Sequence, residues 1–84
     1  MTPKIIKQLI EYGFPEADVK VEGEDGVHFK ALIVSESFNG KNMLQQHRMV
    51  YEVLGDKIGN DIHALSLKTM TPQEYEKINS VKYS

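Results

Sequence analysis

Two short runs, DVKVEG (residues 18–23) and VHFKALIVS (27–35), are separated only by EDG, and this spacing constrains the fold more than any other feature of the chain. Both runs are rich in β-branched and aromatic residues, and the linker carries an Asp-Gly turn signal, so the pair predicts an antiparallel hairpin. A third such run, IHALSLKT (62–69), follows only after a stretch patterned as helix. A helix-bearing crossover favours a right-handed parallel connection, so the third strand is expected beside the second and parallel to it. The expected fold is α+β, a three-stranded mixed sheet with helices packed on one side.

The flanking segments predict helices with readable ends. Thr2 can cap the first, with Pro3 at a position where its missing N–H costs nothing. Ile5, Ile6, Leu9 and Ile10 recur at helical spacing, Gly13 fits a left-handed stop, Phe14 can fold back on the last turn and Pro15 prevents continuation. In the second strand, Phe29, Ala31 and Ile33 share one face, and His28, Lys30, Leu32 and Val34 the other. SESFNG leaves the hairpin through an Asn39-Gly40 turn. A helix over about 42–54 follows. Its apolar stripe reads Met43, His47, Val50 and Leu54, with Leu44 and Tyr51 beside it. Gln45, Gln46, Arg48 and Glu52 fall on the polar side. Gly55 stops this helix, and DKIGN (56–60) has room for one further turn. Thr71, Pro72 and Glu74 form a capping box for a last helix. The predicted order is α-β-β-α-α-β-α. One domain over 1–79 is expected, with 80–84 as a flexible tail.

The 84 residues suffice for one small core, and 40% hydrophobic with 26% charged content is ordinary for a globular chain. No cysteine is present, which excludes disulfides and any site built on this chain's own thiolates. No run of about 18 apolar residues exists. The start MTPKIIKQLIEYG lacks the basic segment, apolar block and cleavage site of a signal peptide. A soluble, cytoplasmic protein without membrane contact is expected. The net charge of −2 gives no global attraction to nucleic acid.

The chemical motifs of enzymes are missing. No serine sits in a strand–turn–helix glycine elbow, and no phosphate-cradling glycine loop follows a strand. Glu22, Glu24 and Asp25 crowd a hairpin turn and read as solvated. The GDKIG run spaces its glycines one residue too far for the G-x-x-G clamp of nucleic-acid-binding KH domains. The expectation is that the protein is not an enzyme. Three histidines remain, without metal-ligand spacing. His47 lies on the apolar stripe and reads as an inward residue hydrogen-bonded to backbone. His28 opens the second strand and reads as half-exposed. His63 opens the third strand beside the turn GND, where a ring can pack its body and keep one nitrogen in water.

The ordered set VHFKALIVSESFNGKNMLQQHRMVYEVL followed by IHALSLKTMTPQEY closely resembles the BolA family, from about Val19 to Tyr75. The most specific parts are the F-x-G turn at Phe38 to Gly40, the run His47 to Tyr51, the strand His63 to Lys68, and the cap Thr71-Pro72. The short hairpin loop looks like the compact, acid-stress-linked bacterial branch. The resemblance implies a KH-like (class II) α+β fold, with Phe38, Gly40 and His47 in structural roles. It also implies a partner, a monothiol glutaredoxin with which BolA proteins share a [2Fe–2S] cluster in iron handling and cluster delivery. In such complexes the glutaredoxin and glutathione thiolates hold one side of the cluster, and the BolA partner supplies the histidine that opens the third strand, here His63.

A second family ligand, Cys or His, usually lies in the first hairpin loop. Here the loop EGEDGVHF has neither, and the position falls to His28, a loop carboxylate or a small thiol. Imidazole is a good iron donor, and replacing thiolate by imidazole raises a cluster's potential. The neutral ring must bind, so acid should weaken the site. No cluster is expected on the isolated chain. Arg48 and Lys68 are candidate contacts to a partner or nucleic acid, and a homodimer is a further candidate assembly. Two other functions compete: a nucleic-acid-binding transcriptional regulator reading through the segment 42–59, and a cluster-free adaptor.

Overall fold

The structure is a computed structural model that describes residues 2–23, 25, 28–55 and 64–82, with the side chains of 64 and 80–82 outside the description. The elements are helix α1 (Pro3–Gly13), strands β1 (Asp18–Glu22) and β2 (His28–Val34), a 3₁₀ turn (Glu36–Phe38), helix α2 (Met43–Leu54), strand β3 (Ala64–Met70) and helix α3 (Pro72–Lys82). The sheet order is β1-β2-β3. β1 pairs antiparallel with β2, and β2 pairs parallel with β3 from His28↔Ala64 to Val34↔Met70. This is the expected α+β fold with a three-stranded mixed sheet. The expected turn at 56–60, the start of the third strand at Ile62 and His63, and most of the hairpin loop lie outside the described residues.

The helix starts follow the sequence. The Thr2 side chain accepts from Ile5 N–H, with Pro3 at the first turn. Asn42 and Gln45 form a reciprocal capping box on α2. Thr71 and Glu74 do the same on α3, Thr71 N–H donating to Glu74 Oε1 at 2.9 Å and Glu74 N–H to Thr71 Oγ1 at 3.2 Å. Nothing after that cap breaks the helix, and α3 runs on to Lys82, so residues 80–82, expected as tail, are helical.

One face of the sheet meets the helices. Val19, Phe29, Ala31 and Ile33 pack with Ile6, Ile10, Phe14, Phe38, Val50 and Leu54 in a single core. Phe14 does fold back, its ring tilted against Phe38 at 5.4 Å between centroids. Gly40 takes a left-handed φ of 76° in the turn before α2. Gly55 does the same at the end of α2, with φ 49°. Gly13 does not: it remains helical and its value lies in close approach. A Cβ there would come within 2.4 Å of a Val53 methyl, so the α1–α2 contact needs a bare Cα.

The buried stripe of α2 differs from the expected one. Met43 and Leu44 are 67% and 61% exposed and Tyr51 is 48% exposed, whereas Gln46 is 7% exposed beside Val50 and Leu54. The reason is hydrogen bonding, which a hydrophobic pattern does not register. The Gln46 amide donates to Lys41 O at 2.9 Å and Phe38 O at 3.4 Å, and accepts from Thr69 Oγ1 at 2.6 Å. A fully satisfied polar side chain can occupy a core position.

Two stability outcomes follow. Gly13→Ala gains helix propensity yet lowers stability by about 1–3 kcal/mol through overpacking on the stiff Val53, and urea unfolding of the Gly13→Ala, Val53→Ala double variant shows the loss substantially recovered. Gln46→Ala costs about 1–3 kcal/mol for the polar groups left without partners, checked by the same unfolding midpoint.

Candidate functional site

The candidate site sits where β2 begins. Parallel pairing aligns the first residue of β2, His28, with the first residue of β3, Ala64. His63 precedes Ala64 in sequence and lies outside the described residues. The entrance to β2 is organised by Asp25. Its Oδ1 accepts from the His28 backbone N–H at 2.7 Å, and its Oδ2 lies 2.6 Å from His28 Nδ1. An Asp three residues before a backbone N–H is a local turn former, and here it also orients a ring. Both side chains are open to solvent, at 72% for His28 and 54% for Asp25. With Nδ1–H donated to the carboxylate, the neutral ring presents the Nε2 lone pair, the arrangement that carboxylates impose on metal-binding histidines. Asp25 is thus the residue that composition-based reading passed over as a solvated turn; the signal for it was the spacing Asp25-x-x-His28.

An imidazole nitrogen is a donor suited to several transition metals, zinc, copper, iron and nickel among them. Among the described residues no three His, Asp or Glu side chains converge on one point. The Gly23 position keeps the hairpin tight against the strand: a Cβ there would meet Phe29 at 2.5 Å and the His28 carbonyl at 2.8 Å.

The remaining candidates fall elsewhere. Lys68 is exposed on β3 in register with Leu32, on the face of the sheet that carries His28. Arg48 is exposed on α2, on the helix side of the sheet. His47 is half-buried, and the hydrogen bond expected for it is not found at Nε2, which is buried without a partner among the described residues. Phe38 is fully buried and Gly40 occupies the turn before α2.

A hairpin leads into a parallel strand pair, crossed by a capped helix, with a clamped histidine where the pair begins; together they define a small α+β domain. A family profile described as BolA-like protein matches residues 15–74. The chain belongs to the BolA-like family. It is 50% identical over 56 residues to a BolA-like protein of Dictyostelium discoideum, covering 66% of this chain and 49% of that one. It is 37% identical over 57 residues to the DNA-binding transcriptional regulator BolA of Escherichia coli, covering 68% of this chain and 54% of that one. The chain therefore spans about half the length of these relatives. The solved structure of a BolA homologue from Coxiella burnetii superimposes with a TM-score of 0.80 at 51% identity, over 90% of this chain and 97% of that one. No helix among the described residues is long and apolar enough to cross a membrane.

Asp25→Ala is expected to release the His28 ring and amide. The His28 amide resonance and the ring tautomer pattern in ¹⁵N NMR should change, while unfolding free energy moves by less than about 1 kcal/mol, because the pair is exposed.

Proposed function

We infer that this protein is the histidine-bearing partner of a monothiol glutaredoxin and shares a [2Fe–2S] cluster with it as cargo, for cluster trafficking or for iron and stress regulation. The observation that carries this reading is the clamped His28 at the start of β2, in register with the residue that follows His63. The chain has no cysteine, so the thiolates come from the glutaredoxin and glutathione, and this chain's part is to supply imidazole. His63 is the proposed ligand; His28, held by Asp25, is the proposed second one. Membership of the BolA-like family supports the assignment. The cluster itself provides the redox and transfer chemistry. What this chain's residues do is present neutral nitrogen donors at one end of a rigid strand pair.

A second reading is favoured by one observation, the name of the E. coli relative as a DNA-binding regulator. Exposed Arg48 on α2 is then the contact. The net charge of −2 and the single arginine of the chain weigh against it.

The test mixes this protein with cluster-loaded monothiol glutaredoxin and glutathione and records visible absorption and circular dichroism. Wild type is expected to change the cluster spectrum, His63→Ala to abolish the change, and His28→Ala to reduce it. Complex formation in gel filtration without any spectral change would leave an adaptor. Loss of duplex-DNA binding in Arg48→Ala, with cluster spectra intact, would move the function to regulation.

A further inference from the structure

The face of the sheet turned away from the helices is uncovered over much of its area, and its charge is unlike that of the rest of the chain. Lys20 on β1, Lys30 on β2 and Lys68 on β3 are exposed on it, around the half-buried Leu32. The register places Lys20, Leu32 and Lys68 in one row across the strands, and Lys30 beside Ser66 in the next. Strand spacings put the Lys20 and Lys68 backbones about 10 Å apart on either side of Leu32, and Lys30 about 7 Å along the strand. Among the described residues none of the three lysines makes an ion pair; Glu22, opposite Lys30, lines the same groove, and Asp18 lies on this face beside Val34. The residues line a groove of about 320 Å³. At the far end of the same face Val34 and Met70 are buried, so the open part runs from Leu32 back towards His28.

Two features separate this face from an ordinary solvated surface. Parallel strand pairs are normally covered on both faces, and this pair, beyond Val34 and Met70, is covered on one. Lysines on edge strands protect against strand addition, which accounts for Lys20 and Lys68; it does not account for Lys30, on the central strand. Among the described residues the three lysines around the aliphatic floor outnumber the carboxylates of this face, Asp18 and Glu22, so on a chain of net charge −2 the face is locally cationic and favours an anionic surface.

We propose that this open sheet face is a docking surface for an extended acidic segment of a partner protein, with carboxylates on Lys20, Lys30 and Lys68 and an aliphatic side chain over Leu32. A second copy is disfavoured because two such faces repel. Nucleic acid is disfavoured because none of these positions offers an aromatic ring on which a base can stack. The proposal goes beyond the cluster reading and does not depend on it, since the face can bind with or without iron.

The test uses the full chain and a fluorescent peptide alternating Glu and Leu, with a Lys and Leu peptide of the same pattern as control. Anisotropy gives affinity, and ¹⁵N NMR locates the contact. The Glu peptide should bind, shift the amides of Lys20, Lys30, Leu32, Ser66 and Lys68, and weaken several-fold as salt rises from ~0.05 to ~0.3 M. Lys30→Glu with Lys68→Glu should weaken it by about tenfold or more; Lys30→Ser with Lys68→Ser serves if the reversed pair fails to fold. No binding, equal binding of the Lys peptide, shifts confined to α2, or affinity unchanged in the variants overturns the proposal. So does dimerisation of the free chain through this face, or displacement of the peptide by a single-stranded oligonucleotide that binds there more tightly.

Discussion

The parallel ladder between β2 and β3 is the constraint from which the rest follows. Parallel strands cannot be joined by a tight turn, so the chain must leave the sheet after Val34 and return at Ala64, and α2 is what it builds on the way. Because the pairing is parallel, the two strands begin at the same end. An antiparallel third strand would have set His28 against the finish of β3. As it is, His28 is aligned with Ala64. The candidate site is a consequence of strand direction before it is a consequence of any side-chain contact.

Buried polar groups hold this arrangement where a small core leaves little apolar surface to do so. Gln46 joins α2 to the loop before it and to Thr69 on β3. At the exit of β2, Ser35 is fully buried. Its N–H donates to Met70 O at 3.0 Å and its hydroxyl to Glu16 Oε1 at 2.6 Å, an oxygen that also receives Ser37 Oγ at 3.0 Å. These bonds tie the hairpin exit, the α1–β1 connection and the end of β3 together. Satisfied networks of this kind specify one packing, because every alternative leaves a buried polar atom without a partner.

The two faces of the sheet have different work. The helix side carries the core. The other carries His28 at its open end, then lysines, then the buried Val34 and Met70. Histidine and lysine positions lie two residues apart on β2, so a partner approaching the imidazole end meets the cationic rows next. On the helix side, exposed Met43, Leu44 and Tyr51 on α2 form a separate surface. That separation is why Arg48 and Lys68, once candidates for the same contact, belong to different faces.

The sequence determined by itself whatever depends on local geometry: the Thr2 and Thr71 caps, the hairpin with its two faces, the Gly55 stop, and the family motif. A helix-length connection between two strands pointed to their parallel direction, because parallel neighbours need such a crossover whereas antiparallel ones can be joined by a tight turn. The covered stripe of α2 was not legible, because Gln46 earns its core position from three partners distant in sequence or on the loop. Gly13 read as a conformational glycine and proved to be a packing one, because Val53 is forty residues away in the chain. The site was half legible. His28 and His63 stood out as residue types, but only the tertiary structure decided that Asp25 clamps the His28 ring and that three lysines from three strands share one face. Side-chain orientation and strand register bring such groups together, and neither is written in any single stretch of sequence.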